Sequence, residues 1–236
     1  MSLDEGYPNP KELKQIDLKT LEFLYTNSFI NKQFSKLASA AQNYLLTINK
    51  PKQPTFIFES ELNLLIEGKI RRVIIGANVI SAEEKKNRYK HDLVSYSLSI
   101  CARNQYPFRL IRRFHFDYAV PEKKTRQPIP IFHLQYGGKL STYLLELGVN
   151  DRKIDSWLSI PRLNHYPITL ALLLDIIFCE FRSEQTHLIA ERSEWRKLVK
   201  ENEELVVKPY YRTLYQFVQS NAYNDKCLVR DYCHGK

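Results

Sequence analysis

Glycine and proline are scarce in this chain, at seven and eleven residues, whereas tyrosine and phenylalanine number fifteen and twelve. That balance excludes collagenous, low-complexity and disordered classes, whose chains cannot bury enough apolar surface to offset the entropy of ordering. Long hydrophobic runs are missing too. The longest apolar stretch, Ile168 to Phe181, is interrupted by Thr169, Asp175 and Glu180, and so falls short of the roughly 20 residues that a membrane helix needs. The four cysteines, Cys101, Cys179, Cys227 and Cys233, show no regular spacing, which argues against a disulfide framework. The opening MSLDEGYPNPKEL lacks a basic start followed by an apolar core. Together with the cysteine usage this predicts a cytoplasmic protein that does not engage a membrane. Also absent are a Walker-type glycine loop, G-x-G-x-x-G, G-x-S-x-G and C-x-x-C. Nucleotide hydrolysis, dinucleotide oxidoreduction, elbow-type hydrolysis and zinc-ribbon binding lose support accordingly.

What is present is enough for a substantial core: 236 residues, of which 44% are hydrophobic. The formal charge is +9, and its distribution is uneven. Lys69 to Lys139 holds fifteen Lys/Arg against five Asp/Glu, whereas the remainder is nearly balanced. A segment of that kind attracts a polyanion or a phosphate-bearing ligand if it forms one surface, and merely solvates loops if it does not.

The hydrophobic period changes along the chain. Asn9-Pro10 reads as a cap and first-turn proline for a helix carrying Leu13, Ile16, Leu21 and Leu24, and Ile30 to Ile48 repeats at three- and four-residue steps, so the spacing predicts helices over 11–49. After the linker KPKQP, Ser60 and Gly68 mark the start and end of a brief helix. Arg71 to Ile80, Leu93 to Ala102, Phe108 to Tyr118 and Pro130 to Gly137 carry the β-branched and aromatic alternation of strands. A basic loop containing Lys123, Lys124 and Arg126 joins the last two. Beyond Gly148 the period returns to helical, with Ile168 to Arg182 apolar nearly all round and further helices over Glu191 to Asn202 and Tyr210 to Gln219. The expected fold is one α+β domain over 1–236, in which a four-stranded antiparallel sheet (about 71–137) packs against N-terminal helices (11–49) and C-terminal helices (168–221).

Two expected strands carry the main candidate site. In RFHFDY, side-chain alternation puts Phe114, Phe116 and Tyr118 on one face and Arg113, His115 and Asp117 on the other; in PIFHLQY it separates Phe132, Leu134 and Tyr136 from His133 and Gln135. Pairing Phe116 with Phe132 would set His115 opposite His133 and Arg113 opposite Gln135. Such a polar face suits acid–base work on a phosphate substrate, with Arg113 holding the phosphate. It equally suits a hydrophilic outer face in which Arg113 pairs with Asp117. No cofactor is expected, a divalent metal on His115, Asp117 and His133 being the less favoured use. A second candidate is SIPRLNHYPIT, where Arg162 and His165 precede the buried helix and its N-terminal N–H groups. Asp175 and Glu180 within that helix are expected to be buried carboxylates paired with Arg or His.

Two functions follow as expectations. One is a module binding nucleic acid or another polyanion through the basic sheet segment, with Arg109, Arg112, Lys123, Lys124, Arg126, Arg162 and His165 as anion contacts. Tyr89, Tyr106, Phe108 and Tyr118 would supply stacking. The other is a nuclease-like phosphodiesterase with His115 and His133 as acid and base. Nothing in the sequence sets the oligomeric state.

Overall fold

In a computed structural model, the structure describes residues 7–27, 56–66, 69–85, 88–102, 109–118, 131–137, 162–181 and 183–220. Helix α1 (Pro10–Thr26) begins where its cap requires. The Asn9 side chain accepts from the Lys11 and Glu12 N–H groups, and Glu12 reaches back to the Asn9 N–H, which satisfies donors that a first turn leaves open. The expected helix over 30–48, the linker and the Lys123–Lys124–Arg126 loop lie outside the described residues.

The chain is α+β, with helices at both ends of an antiparallel sheet that holds six strands in sequential order among the described residues, rather than four. They are β1 (Phe56–Ile66), β2 (Lys69–Lys85), β3 (Arg88–Ala102), β4 (Leu110–Tyr118), β5 (Phe132–Tyr136) and β6 (Leu163–Asn164). Two elements correct the sequence expectation. Ser60 opens no helix but sits within β1, opposite Ile75. The alternation Phe56, Phe58, Ser60, Leu62, Leu64 is the signal for that strand, and pairing with a long neighbour overrides the helix-favouring Glu and Leu content. Two residues of the SIPRLNHYPIT segment form β6, paired with β5. Neighbouring strands in sequence are neighbours in space, the strand order of an antiparallel meander.

The helical layer comprises α2 (Leu170–Glu180), α3 (Glu184–Ala190), α4 (Ser193–Asn202) and α5 (Lys208–Gln219), the last two joined by a π-helical turn at Glu203–Val207. None of the described helices is long and apolar enough to cross a membrane. Val73, Ile75, Ala77 and Val79 of β2, with Val94, Tyr96, Leu98 and Ile100 of β3, share one core with Leu13, Leu21 and Leu24 of α1 and most of α2. Each such aliphatic side chain contributes about 1.5–3 kcal/mol when fully buried. Trp195 of α4 is fully buried in this core, with its ring tilted against Phe23 and Phe178. A satellite cluster of Ile131, Phe132 and Tyr210 joins β5 to α5.

Candidate functional site

The β4–β5 hairpin keeps the expected faces but not the expected register. Phe116 pairs with Leu134 and Tyr118 with Phe132, so His115 lies opposite Gln135 and Asp117 opposite His133. The two imidazoles share a face on adjacent strands as diagonal neighbours, two residues away from the direct pairing that the sequence suggests. A two-residue slip preserves every face, so polarity alone cannot exclude it. Contacts at the two ends of the hairpin decide it: Tyr118 stacks on Phe132 with ring centroids 5.2 Å apart, and at the far end the Gly137 N–H donates to the Arg113 carbonyl at 2.9 Å. Gly137 has a φ of 74°, a conformation that glycine adopts without steric cost.

The polar residues continue across the sheet as rows. One row runs Asn78, Ser95, Asp117, His133, Asn164; the next Gly76, Ser97, His115, Gln135; a third Ile74, Ser99, Arg113. This face is not the solvated outer surface that its composition suggests: Arg113 is 4% exposed and His133 3%, and Ile74, Ser99 and Cys101 are buried beside them. Arg113 Nε donates to His115 Nε2 at 2.8 Å. Because a guanidinium can only donate, Nε2 is the acceptor, and the neutral ring carries its proton on Nδ1. Burial first, and the Arg113 charge second, push the His115 pKa down to about 4, against smaller opposing effects from Asp117 and the Gly137 backbone. His115 is therefore neutral at physiological pH and has no proton to lend as a general acid there. His133 Nε2 stands 3.7 Å from Asp117 Oδ2, an ion-pair separation too long for a hydrogen bond. So Asp117 faces His133, not Arg113.

On the opposite, aromatic face of the hairpin a void of about 10 Å³ lies among Tyr7, Tyr96, Phe116, Tyr118, Phe132 and Tyr166, about enough for one water. His115 Nε2 is not free to ligate a metal in this arrangement. The Arg113 guanidinium occupies the approach to His115 Nε2, and among the described residues no three His, Cys, Asp or Glu side chains converge as ligands.

The second candidate is also rearranged. Helix α2 starts five residues beyond His165, and its N-terminus is buried and already served. Thr169 caps it by accepting from the Leu172 N–H, and Asp17, brought in by α1, accepts from the Leu170 N–H at 3.0 Å. The acceptor at this helix end is the chain's own Asp17. The His165 ring bonds the Tyr166 carbonyl at 2.7 Å and meets Phe116 edge-on, while Arg162 is half-buried. Nor are Asp175 and Glu180 buried ionic partners: Asp175 is half-buried and accepts from Trp195 Nε1 at 2.8 Å, and Glu180 is exposed.

The buried carboxylate that the sequence does not advertise is Asp17, 1% exposed, with Tyr96 donating to it at 2.6 Å. Burial raises its pKa to about 7, against the lowering effect of both hydrogen bonds. Its only sequence signal is a carboxylate beside the apolar positions Ile16 and Leu21 of α1.

Of the predicted anion contacts, Arg109 and Arg112 are exposed on β4 and its approach, while Lys123, Lys124 and Arg126 lie outside the described residues. Among the aromatics expected to stack on bases, Tyr118 is consumed by the interior, between Tyr7 and Phe132. A separate cleft of about 380 Å³ opens in the helical layer, lined by Phe178, Cys179, His187, Arg196, Lys200 and Glu203 among others; of these six, the sequence pattern draws attention only to Cys179. Compared with protein-family models, curated proteins and solved structures, the chain matches none, so its chemistry is read from its own residues.

Proposed function

We propose that the protein is a binding module for nucleic acid or a comparable polyanion, and that the contact surface is the end of the sheet where β2 and β4 begin. One observation carries the reading: the antiparallel register gathers cations from distant segments into nearby rows. Arg71 is in register with Ala102, whose N–H bonds the Arg109 carbonyl at 2.9 Å, and two rows further Val73, Ile100 and Arg112 align. Lys69 stands at the start of β2 beside them. Lys69, Arg109 and Arg112 are exposed and Arg71 half-buried, and no carboxylate among the described residues pairs with these four. Arginine forks suit phosphate oxygens geometrically, and each neutralised phosphate releases counterions. The alternative, a phosphodiesterase on His115 and His133, draws less support, because His115 is neutral at physiological pH with its Nε2 accepting from Arg113, and His133 is 3% exposed.

The test is electrophoretic shift of duplex DNA and of RNA across a salt series. A triple variant, Arg71→Gln, Arg109→Gln and Arg112→Gln, should weaken binding and flatten the logarithmic salt dependence by about 0.9 for each phosphate that is no longer neutralised. Replacing the exposed Lys11 and Lys197 by Gln should change neither. No shift by the unmodified protein at low salt, or equal losses in both variants, overturns the proposal.

A further inference from the structure

Helix α5 exposes an aromatic face that the core does not use. Its buried side is anchored: Tyr210 and Thr213 are buried, and the Tyr210 ring meets Phe132 edge-on at 5.7 Å. That packing turns Tyr211 and Tyr215 outward, 52% and 66% exposed. Four residues apart, they lie on one side of the helix about 6 Å apart along its axis, close to twice the roughly 3.4 Å step between successive bases of a strand. The sequence of α5, KPYYRTLYQFVQ, contains no Asp or Glu. Arg212, Gln216 and Gln219 are exposed around the two tyrosines, while Lys208 at the start of the helix is paired with Glu204. Two large rings that stay more than half exposed, Tyr211 held edge-on against Tyr210, beside a cation and two amides make a suitable stacking surface, since every base has a π-face and neighbouring phosphates would meet Arg212.

We infer that α5 is a stacking platform for single-stranded nucleic acid, with Tyr211 and Tyr215 as the base-contacting residues; the inference rests on the polyanion reading above and narrows its ligand. A duplex keeps its bases stacked on one another and offers these rings no free face. A second copy of this chain is the competing occupant, and Arg212, exposed beside the patch, would then be buried at the contact in both copies, which disfavours it.

The experiment measures binding of a labelled oligothymidylate strand, and of a duplex of the same length, by anisotropy and by quenching of tyrosine fluorescence. The double variant Tyr211→Ala and Tyr215→Ala should bind the single strand at least about tenfold more weakly and the duplex as before. The double variant with Phe at both positions should retain single-strand binding, because the ring and not the hydroxyl stacks. Undiminished single-strand binding by the Ala variant overturns this inference and leaves the polyanion reading standing. If the unmodified protein binds neither probe, both fall. A dimer in sedimentation that the Ala variant dissociates reassigns the patch to a contact between copies and also overturns the inference.

Discussion

Asp17 and His115 are both displaced by burial, and their effects on stability oppose each other along the pH axis. The Asp17 pKa is raised from 3.8 to about 7. The folded state therefore holds a proton that the unfolded chain has released, and the contribution is fully present below 3.8 and lost as pH rises through about 7. Its full size is roughly 4 kcal/mol. The His115 pKa is lowered from 6.5 to about 4, so its contribution is present above 6.5 and lost as pH falls through about 4. His91 and His165 are lowered by burial as well and act in the sense of His115. In the unmodified protein these slopes offset one another between about pH 4 and 6.5. Asp17→Asn, which keeps an acceptor for the Leu170 N–H, should expose the histidine slope, with urea midpoints that rise with pH over that window. His115→Gln should expose the carboxylate slope and give midpoints that fall toward pH 7. An Asp17→Asn profile superimposable on that of the unmodified protein would show that this carboxyl does not titrate with folding.

The elements are held together at their ends as much as along their faces. The start of α2 ties α1, β3 and α4 through buried polar groups. Asp17 bridges Tyr96 and the Leu170 N–H, while Thr169 Oγ1 donates to Asn202 Oδ1 at 2.6 Å and Asn202 Nδ2 returns to the Leu198 carbonyl. Thr169 and Asn202 are both fully buried. Thr169→Ala removes a helix cap, worth about 1 kcal/mol, and strands a buried acceptor at a cost of about 1–3 kcal/mol. Urea denaturation should show a combined loss of about 2–4 kcal/mol, with Thr169→Ser close to the unmodified protein. A negligible effect of the Ala change would remove Thr169 from the framework. The ends also explain where element boundaries are legible in the sequence. Asn9-Pro10 marks the start of α1 because capping is chemistry between residues three positions apart. Pro167, a residue type that favours a helix's first turn, instead stands two residues ahead of the Thr169 cap, because the position of that start depends on Asn202 and Asp17, which are distant in sequence.

Across the whole molecule, both faces of the sheet contribute buried residues. Cys101 reports on the second face: it is fully buried beside Arg113, and burial raises its thiol pKa to about 11. Cys179 is exposed on α2. Iodoacetamide followed by peptide mass spectrometry should find Cys179 alkylated in the native protein and Cys101 modified only once the protein unfolds. Rapid native labelling of Cys101 would mean that the second face is open. By itself the sequence determined the α+β class, the switch of period from helix to strand and back, the start of α1 and the alternating faces of β4 and β5. These follow from side-chain spacing and capping, which operate within a few residues. Only the tertiary structure decided that Ser60 lies in a strand, that His115 faces Gln135 and Asp117 faces His133, that Arg113 and His133 are buried, and that Asp17 supplies the carboxylate at α2. Register by steps of two leaves polarity unchanged, and burial depends on what distant segments bring to a face. Desolvation, and with it the protonation state of each buried group, is therefore a property of the assembled fold.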